Sequence, residues 1–415
     1  MTRRTSISNG TSTRPTVSSP SGREARADEA SSPPGTRSRL LTKGIEEEVY
    51  TGTYDGDVIG MSNKIAADMP HYSCEPDSRN VEFATLPHRG YADLERELAD
   101  SRARLRDYLR ENGGFTLVPG ASLSVGGVGE FHRSNPSNPY HTHIETSYGS
   151  DVVTTSAHLN IGIEDPESLL RAYRVIRMES SLFLALTTAS PFLNDELTGD
   201  HSTRWRIFPR TPANVPLFAN HCEYIRWIDQ QLELGTMYNI RHLWLSVRPN
   251  GTGAPREIQR LELRVCDRID DLEILLGMTA LFEARLWEIL TDSSLDPLID
   301  GADPAELRRI ADANDLAVAA DGFDAEVFDW RSGERVLVRD WAPEYLASAT
   351  ETAAARGFDR WLAPIRDTLD TGPVSECWIE RFRGGESIRS ILRKEIERFE
   401  ARDREHASRL FEDDK

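Results

Sequence analysis

The sequence GIEEEVY at residues 44–50 contains three consecutive glutamates inside a run of strand-like sequence. Side chains alternate between the two faces of a strand, so Glu46 and Glu48 project from one face and Glu47 from the other. A turn signal follows at residues 54–57, which predicts a hairpin after this strand. The sequence therefore predicts a strand that presents a pair of carboxylates on one side.

Three further segments divide in the same way into an apolar and a polar face. Their polar residues are Glu75 and Glu82 in EPDSRNVE, His158 and Asn160 in HLNIGI, and Glu262 and Arg264 in LELRVCD. An antiparallel sheet with one solvated face gives the same alternation, so each segment taken singly has this plain structural alternative. Taken together, the polar faces are chemically selective, because they hold five glutamates and one histidine.

Five carboxylates that meet at one site would repel one another and raise each other's pKa values. They can stay ionised where divalent cations lie among them, and oxygen ligands with one imidazole suit Mg²⁺ or Mn²⁺. Mg²⁺ is usually held by a few carboxylates together with substrate phosphates, which points to ATP. The sequence has neither a GxxxxGK[ST] loop nor a GxGxxG between a strand and a helix, so an ordinary P-loop or Rossmann enzyme is not indicated.

Composition argues against several classes of protein. The 415 residues contain no apolar run near the roughly 18 residues that span a bilayer, and no apolar core of a secretory signal at the N-terminus. The net charge of −19 argues against nucleic acid as a partner, since its binders present a basic face. The four cysteines lack CxxC spacing, which is typical of reduced thiols in a cytoplasm. We therefore expect a cytoplasmic protein with small-molecule partners and neither a membrane nor a nucleic-acid partner.

The basic residues are unusual in kind. Only four of the 49 are lysines, and the remainder are arginines. An acidic surface with few lysines is typical of adaptation to high salt, where counterions screen the repulsion between carboxylates. A genome of high GC content also replaces lysine with arginine, so both explanations stay open.

The organisation of the chain follows from composition and periodicity. Residues 1–40 hold 22 Ser, Thr, Pro or Gly residues and predict a disordered tail. Mixed strands and helices without a regular βαβ order favour an α+β fold, with a catalytic domain over 41–300 and a helical C-terminal region over 301–415 packed on it. The apolar spacing predicts helices at 91–112, from Pro166 to just before Pro191, and at 271–291, and a mostly helical pattern over 302–315, 338–371 and 385–412.

Two other motifs stand outside the polar strand faces. HTHIE at residues 141–145 has the alternation of a strand that could bind a transition metal, with a surface or subsite loop as the alternative. SVGGVGE at residues 124–130 contains three glycines and is interpreted as a flexible loop.

The four polar segments, in this order, are similar to those of the glutamate–cysteine ligases, within the carboxylate–amine ligase group whose fold is related to glutamine synthetase. GIEEE corresponds to a G-x-E-x-E strand, and the other three segments reproduce the E-x6-E, H-x-N and E-x-R spacings. The resemblance spans about residues 41–300 and is closest to the branch described from cyanobacteria and halophilic archaea. Glu47 stands where a relative can carry a basic residue, and the regulatory cysteines of the plant branch are not recognisable.

The resemblance implies a curved, mainly antiparallel sheet that lines the active site and is flanked by helices. It implies an ATP-dependent ligase that joins the L-glutamate γ-carboxylate to the L-cysteine amine through a γ-glutamyl phosphate, as a step in thiol or glutathione synthesis, with Mg²⁺ or Mn²⁺ as cofactor. Arg264 and Glu82 would act in catalysis, whereas Arg204, Tyr140 and Asn160 would bind substrate. The implied metal ligands are Glu46, Glu48, Glu75, Glu82, His158 and Glu262.

The implied roles differ in their chemistry. Arg264 would hold the transferred phosphoryl group, a task that suits a planar guanidinium with five donors. Arg204 would bind the α-carboxylate of glutamate, and Tyr140 would lie near the cysteine pocket. The structural alternatives are a hydrogen-bonded strand histidine for His158, an ion-pair partner of Glu262 for Arg264, and packing for Tyr140.

Three other functions stay open at this point. A related ligase could use a different amine, because pocket shape rather than the metal ligands chooses the acceptor. A metal-dependent hydrolase could use paired carboxylates as acid and base, although the E-x-R strand and the absence of a second histidine from the set argue against it. A nucleotide-binding protein without catalytic activity could keep the same fold.

Overall fold

The computed structural model describes residues 40–412, so nearly all of the predicted tail at 1–40 lies outside the described residues. The architecture is α+β, as predicted. The strands are β1 (Lys43–Gly52), β2 (Tyr72–Cys74), β3 (Asn80–Ala84), β4 (Thr116–Val118), β5 (Ala157–Gly162), β6 (Phe192–Leu193), β7 (Glu196–Leu197), β8 (Val247–Asn250), β9 (Arg260–Leu263), β10 (Glu326–Phe328) and β11 (Arg335–Leu337). The helices are α1 (Ser62–Asp68), α2 (Tyr91–Glu111), α3 (Pro139–Tyr148), α4 (Pro166–Thr187), α5 (Thr203–Ile207), α6 (His221–Glu233), α7 (Leu272–Thr291), α8 (Pro304–Asp321), α9 (Val338–Arg356), α10 (Ala363–Thr371), α11 (Val374–Arg383) and α12 (Ile388–Glu412).

One antiparallel sheet of seven strands organises the site. The strand order is β2-β3-β1-β5-β9-β8, and β4 pairs with the end of β1. Residues opposite each other in neighbouring strands share a face, so the register decides which polar side chains meet. The pairs that matter are Glu48–Glu82, Glu46–His158, Asn160–Glu262 and Glu262–Arg248.

The opposite face of the sheet contributes to the hydrophobic core. Ile45, Val81, Leu159 and Leu261 are at most 1% exposed and belong to the cluster that also contains the buried faces of α4 and α7. This face excludes water, because the two helices are apolar along most of their length. The sheet therefore has one dry face and one polar face, which is the division that the alternation of residues predicts.

The helices beyond residue 300 pack on the elements that precede them. Helix α8 contacts α4, α9 contacts α7, and α12 contacts α2. All described residues belong to one compact unit, and the domain boundary near residue 300 stays a prediction. Within residues 40–412, no helix combines the length and the apolar character that a membrane span requires.

Two predicted helices are shorter than their apolar patterns. The helix expected to run from Pro166 to just before Pro191 ends at Thr187, because the following residues bind another segment: the Ala189 amide and the Ser190 hydroxyl donate to Asp267 over 2.9 and 2.7 Å. The helix expected over 338–371 is broken at Gly357, which has a φ of 77° and caps α9 in the left-handed conformation that glycine favours.

Candidate active site

A cavity of about 100 Å³ opens on the polar face of the sheet. Of the residues predicted from the sequence, its wall contains Glu46, Glu48, Glu75, Glu82, His158, Arg264 and Tyr140. Four carboxylates, one imidazole and one guanidinium from separate segments of the chain thus share one space. The register of the sheet produces this gathering, since β1 lies between β3 and β5.

His158 lies at the centre of the carboxylates and is 3% exposed. Its Nδ1 is 3.5 Å from Oε2 of Glu46 and 3.8 Å from Oε1 of Glu262, and its Nε2 is 3.9 Å from Oε1 of Glu48. The Ser156 hydroxyl lies 2.9 Å from Nε2 and donates to Glu48 over 2.5 Å. The imidazole is therefore within reach of three acidic side chains from two neighbouring strands.

Three of these residues form a candidate metal centre. Glu46, His158 and Glu262 each offer one ligand atom, and the three atoms lie within 4.8 Å of one another. Among residues 40–412 this is the one group of three or more such side chains with that spacing. Two carboxylates and one imidazole are donors that Mg²⁺ and Mn²⁺ accept, so the residues present fit such an ion.

Glu75 and Glu82 form a second acidic pair on the wall. Glu82 lies in β3, whereas Glu75 follows the end of β2 and so lies in a loop rather than inside a strand. Burial raises the pKa of both carboxyl groups, and a hydrogen bond and charge from Glu75 raise the pKa of Glu82 further. The raised pKa values favour the protonated form of each carboxyl group, and the charge of a nearby divalent ion would act in the opposite direction.

Glu262 is buried beneath two arginines. Arg248 donates to it from Nε over 2.8 Å and from Nη2 over 3.0 Å, and Arg264 donates from Nη1 over 2.5 Å. Asn250 adds a third donor group at 2.7 Å. Although burial raises the pKa of Glu262, the charges of Arg248, Arg264 and His158 hold it well below its usual range. Glu262 is thus the predicted ligand whose oxygens already have hydrogen-bond partners.

The influences that raise and lower the pKa of Glu46 are closer to balance than those that act on Glu262. Burial and the Glu262 carboxylate raise its pKa, but the hydrogen bond and charge of His158, with the charge of Arg264, outweigh them and lower it. Asn160 donates to Glu46 over 3.2 Å and accepts from Arg260 over 2.9 Å. Asn160 does not line the cavity formed by the described residues, so its contact is with Glu46 rather than with the open space.

Arg204 also lies behind the wall. Its guanidinium is 3% exposed and donates to the main-chain carbonyls of Arg264 and Val265, each over 3.1 Å. Asp267 lies 3.6 Å away and accepts hydrogen bonds from Ser190 and Ser202. The structure therefore places Arg204 where it supports the segment that carries Arg264, and its predicted contact with a substrate carboxylate stays a prediction.

The HTHIE motif is not a strand. Residues 139–148 form helix α3. The helix begins at Pro139, and the Asn138 side chain caps it by accepting a hydrogen bond from the Tyr140 amide over 2.9 Å. Side chains two apart diverge around a helix: the His141 ring contacts Ser134 over 3.1 Å, whereas the His143 ring stacks on Tyr238. The prediction of a transition-metal site at HTHIE is therefore wrong, because it depended on the side-chain spacing of a strand and this segment is a helix.

The wall also contains residues to which the sequence patterns assigned no role. Arg241 and Arg248 add two cations, while Trp244 and Phe208 extend the aromatic surface begun by Tyr140. Arg248 alternates with Val247 and Pro249 in β8, so the same two-residue period that marked Glu262 could have identified it. Arg241 lies in a short 3₁₀ turn, which carries no such period.

Solved structures share this fold. A glutamate–cysteine ligase from Francisella tularensis in complex with AMP superposes with a TM-score of 0.69 at 14% identity and covers 90% of each chain. A bifunctional glutathione synthetase from Pasteurella multocida gives the same TM-score of 0.69 at 15% identity, over 88% of this chain and 53% of that one. The likeness at this identity shows the fold, which is one that solved ligases adopt.

Proteins that are similar in sequence are named as glutamate–cysteine ligases. A protein of Rubrobacter xylanophilus, provisionally named glutamate–cysteine ligase 2-1, is 25% identical over 349 residues, which are 80% of this chain and 88% of the relative. A provisionally named glutamate–cysteine ligase 2 of Salinispora arenicola is 24% identical over 340 residues, covering 79% and 86%. The model of glutamate–cysteine ligase family 2 matches residues 42–399, and the chain belongs to that family. The resemblance seen in the motifs is confirmed, and the enzyme is a ligase of this family.

Proposed function

We propose that the enzyme joins the γ-carboxylate of L-glutamate to the amine of L-cysteine at the expense of ATP. The observation that carries this proposal is the gathering of four carboxylates, one histidine and the guanidinium of Arg264 around one cavity in a member of the family. A carboxylate is a poor acyl donor because oxide is a poor leaving group. Transfer of the γ-phosphoryl group would make an acyl phosphate, from which phosphate can leave when the amine attacks.

The acidic residues are the proposed metal ligands. Glu46, His158 and Glu262 would hold one Mg²⁺, for which Mn²⁺ could substitute, and Glu48 with the Glu75–Glu82 pair would complete the set around the phosphates. Bound Mg²⁺ supplies positive charge that neutralises phosphate oxygens. The AMP bound to the Francisella ligase supports an adenine nucleotide as the substrate that brings these phosphates.

The three arginines on the wall suit the anionic groups of the substrates. Arg264 borders both the candidate metal centre and the open cavity, so it can hold the transferred phosphoryl group with its planar fork of donors. Arg248 is held against Glu262 and keeps that carboxylate ionised. Arg241 is exposed on the wall, and we assign it to a substrate carboxylate, beside the contact that the resemblance implies for the buried Arg204.

The aromatic side of the cavity suits the amine acceptor. Tyr140 lies on α3 with its ring 5.5 Å from that of Tyr238, and the buried Trp244 ring lies 5.1 Å from that of Phe208. A small, weakly polar side chain such as that of cysteine would lie against these rings with little loss of hydration. This wall is the part of the site on which the choice of amine depends.

The test is phosphate release from ATP in the presence of Mg²⁺, glutamate and each of a series of amines. We expect cysteine to stimulate release above the other amino acids. Glu46→Gln should reduce turnover at least about 100-fold, because it removes a ligand charge at the point where phosphate charge is neutralised. The control is Glu111→Gln, which removes an exposed carboxylate at the end of α2 and should leave turnover unchanged.

Each alternative has its own result in the same assay. Greater stimulation by another amine identifies a carboxylate–amine ligase of different specificity. Ester or peptide cleavage without an amine identifies a hydrolase, and intact ATP binding without turnover identifies a non-catalytic protein. Mg²⁺-dependent turnover of Glu46→Gln at the wild-type rate would contradict the ligand assignment.

A further inference from the structure

A second cavity lies on the other side of the segment that follows β9. Its volume is about 440 Å³, and it shares no lining residue with the active-site cavity. Residues 186–189 at the end of α4 and residues 268–274 form one side, and α10, α11 and α12 form the other. Sites for small molecules typically measure roughly 300–1,000 Å³, so this cavity has the size of a binding site.

Most of the wall of this second cavity is apolar. Trp378 and Phe399 lie on different helices and are 1% and 2% exposed. Their rings are therefore held in place by the surrounding side chains. Other apolar side chains come from both sides of the cavity: Leu186, Ile274 and Val374. An apolar body of five or six carbons would therefore bury its surface here.

One nitrogen of a buried arginine in the wall lacks a partner. The side chain of Arg268 is 2% exposed, and its Nε donates to Asp270 over 2.5 Å. Its Nη1 is closed off from solvent and has no hydrogen-bond partner among the described residues. A buried donor without an acceptor is rare in folded proteins and calls for a missing ligand or water. A guanidinium fork matches the two oxygens of a carboxylate.

The other charges of the wall disfavour a ligand with several negative charges. Arg398 lies 2.6 Å from Glu395, and Arg402 is paired with Asp271, so neither has the same need of an acceptor. Acidic side chains outnumber arginines around the cavity by five to three, which disfavours a polyanion such as a nucleotide. We propose that the second cavity binds a small amphipathic monocarboxylate, with its carboxylate on Arg268 and its apolar body against Trp378 and Phe399.

Hexanoate is a suitable probe, and the chain provides its own reporter. Cys377 is exposed and lines the second cavity, whereas Cys222 is exposed on α6 and lies outside it. Because Cys377 is a wall residue, a ligand that fills the cavity would shield its thiol, and saturating hexanoate should slow alkylation of Cys377 about fivefold. The rate at Cys222 should not change. A Kd of about 1 mM is ordinary for a ligand of eight heavy atoms.

Matched ligands and variants separate the charge from the apolar contact. Hexan-1-ol should protect Cys377 at least about tenfold less well than hexanoate, and Arg268→Gln should raise the Kd for hexanoate by about the same factor. Should Arg268→Gln fail to fold, Val374→Trp fills the cavity from its rim and should abolish protection. Equal protection by hexan-1-ol, stronger protection by hexylamine, or no protection by hexanoate would overturn the proposal. None of these measurements depends on ligase activity.

Discussion

Glu47 lies on the core side of β1, directly behind the carboxylates of the active site, and its replacement by glutamine tests the buried ion pair that it forms. Arg102 of α2 donates to it from Nε over 3.1 Å and from Nη2 over 2.7 Å. The two side chains are 2% and 1% exposed, so water does not screen the pair. Glutamine keeps the shape of the side chain and removes its charge, which leaves the guanidinium of Arg102 partly uncompensated.

The expected loss of stability follows from the contacts that remain. Breaking a buried ion pair by removing one partner costs about 3–5 kcal/mol. Arg102 keeps Asp403 at 3.5 Å and the carbonyls of Ile269 and Asp270, so the lower end of that range, about 3 kcal/mol, applies. Unfolding entropy of about 2.1 cal/mol/K per residue over residues 40–412 then predicts a fall in Tm of about 4 °C.

Differential scanning calorimetry of Glu47→Gln beside Asp100→Asn gives the test. Asp100 faces Arg104 on the same helix α2, but that pair is 50% and 57% exposed. An exposed pair of this kind contributes at most about 0.5 kcal/mol, which corresponds to a fall in Tm of less than about 1 °C. Equal Tm values for the two variants would refute the view that the Glu47–Arg102 pair anchors β1.

Three further outcomes are expected. Arg264→Lys should lower kcat at least about tenfold while the KM for ATP changes little, because lysine cannot reproduce the fork of donors; an unchanged kcat would remove Arg264 from the mechanism. Arg204→Gln should lower kcat and Tm together through the segment that it supports, with the KM for glutamate unchanged; a rise in that KM alone would support the carboxylate contact predicted from the sequence. Because burial raises the pKa of Glu75 and Glu82, folding favours their protonated forms, and stability without metal should fall as pH rises from about 4.3 through the raised pKa values. Mg²⁺ should therefore increase Tm more at pH 8 than at pH 5.5, and a gain that does not vary with pH would contradict the assignment of this pair to the metal.

Many residues of the candidate site could be predicted from the alternation of polar and apolar residues in four short segments. The alternation in GIEEEVY predicts that Glu46 and Glu48 share a face, and both line the cavity while Glu47 is buried on the other side. The order of the strands cannot be obtained in this way, because it depends on long-range pairing between residues more than one hundred positions apart. The resemblance to a known family implied that these residues meet at one site, but it did not give the order of the strands.

The wrong prediction at residues 141–145 has a local cause. HTHIE alternates like a strand, yet Asn138 and Pro139 begin a helix there, and this start signal outweighs a five-residue pattern. The contact of Arg204 with a substrate carboxylate was implied by the resemblance alone, and it stays a prediction. The burial of Arg204 arises from Asp267 and two main-chain carbonyls that lie about sixty residues further along the chain, which no local pattern can reveal.

Helix α12 supports strand β1 through two arginines of α2. Asp403 in α12 lies 2.7 Å from Arg106 and 3.5 Å from Arg102, which itself holds Glu47 of β1. In a chain made from its N-terminus, strand β1 with the proposed metal ligands Glu46 and Glu48 emerges well before α12, which supplies this support. The ribosome must therefore synthesise all the elements between them before β1 gains this anchor, so premature termination within α12 removes a support of the candidate active site.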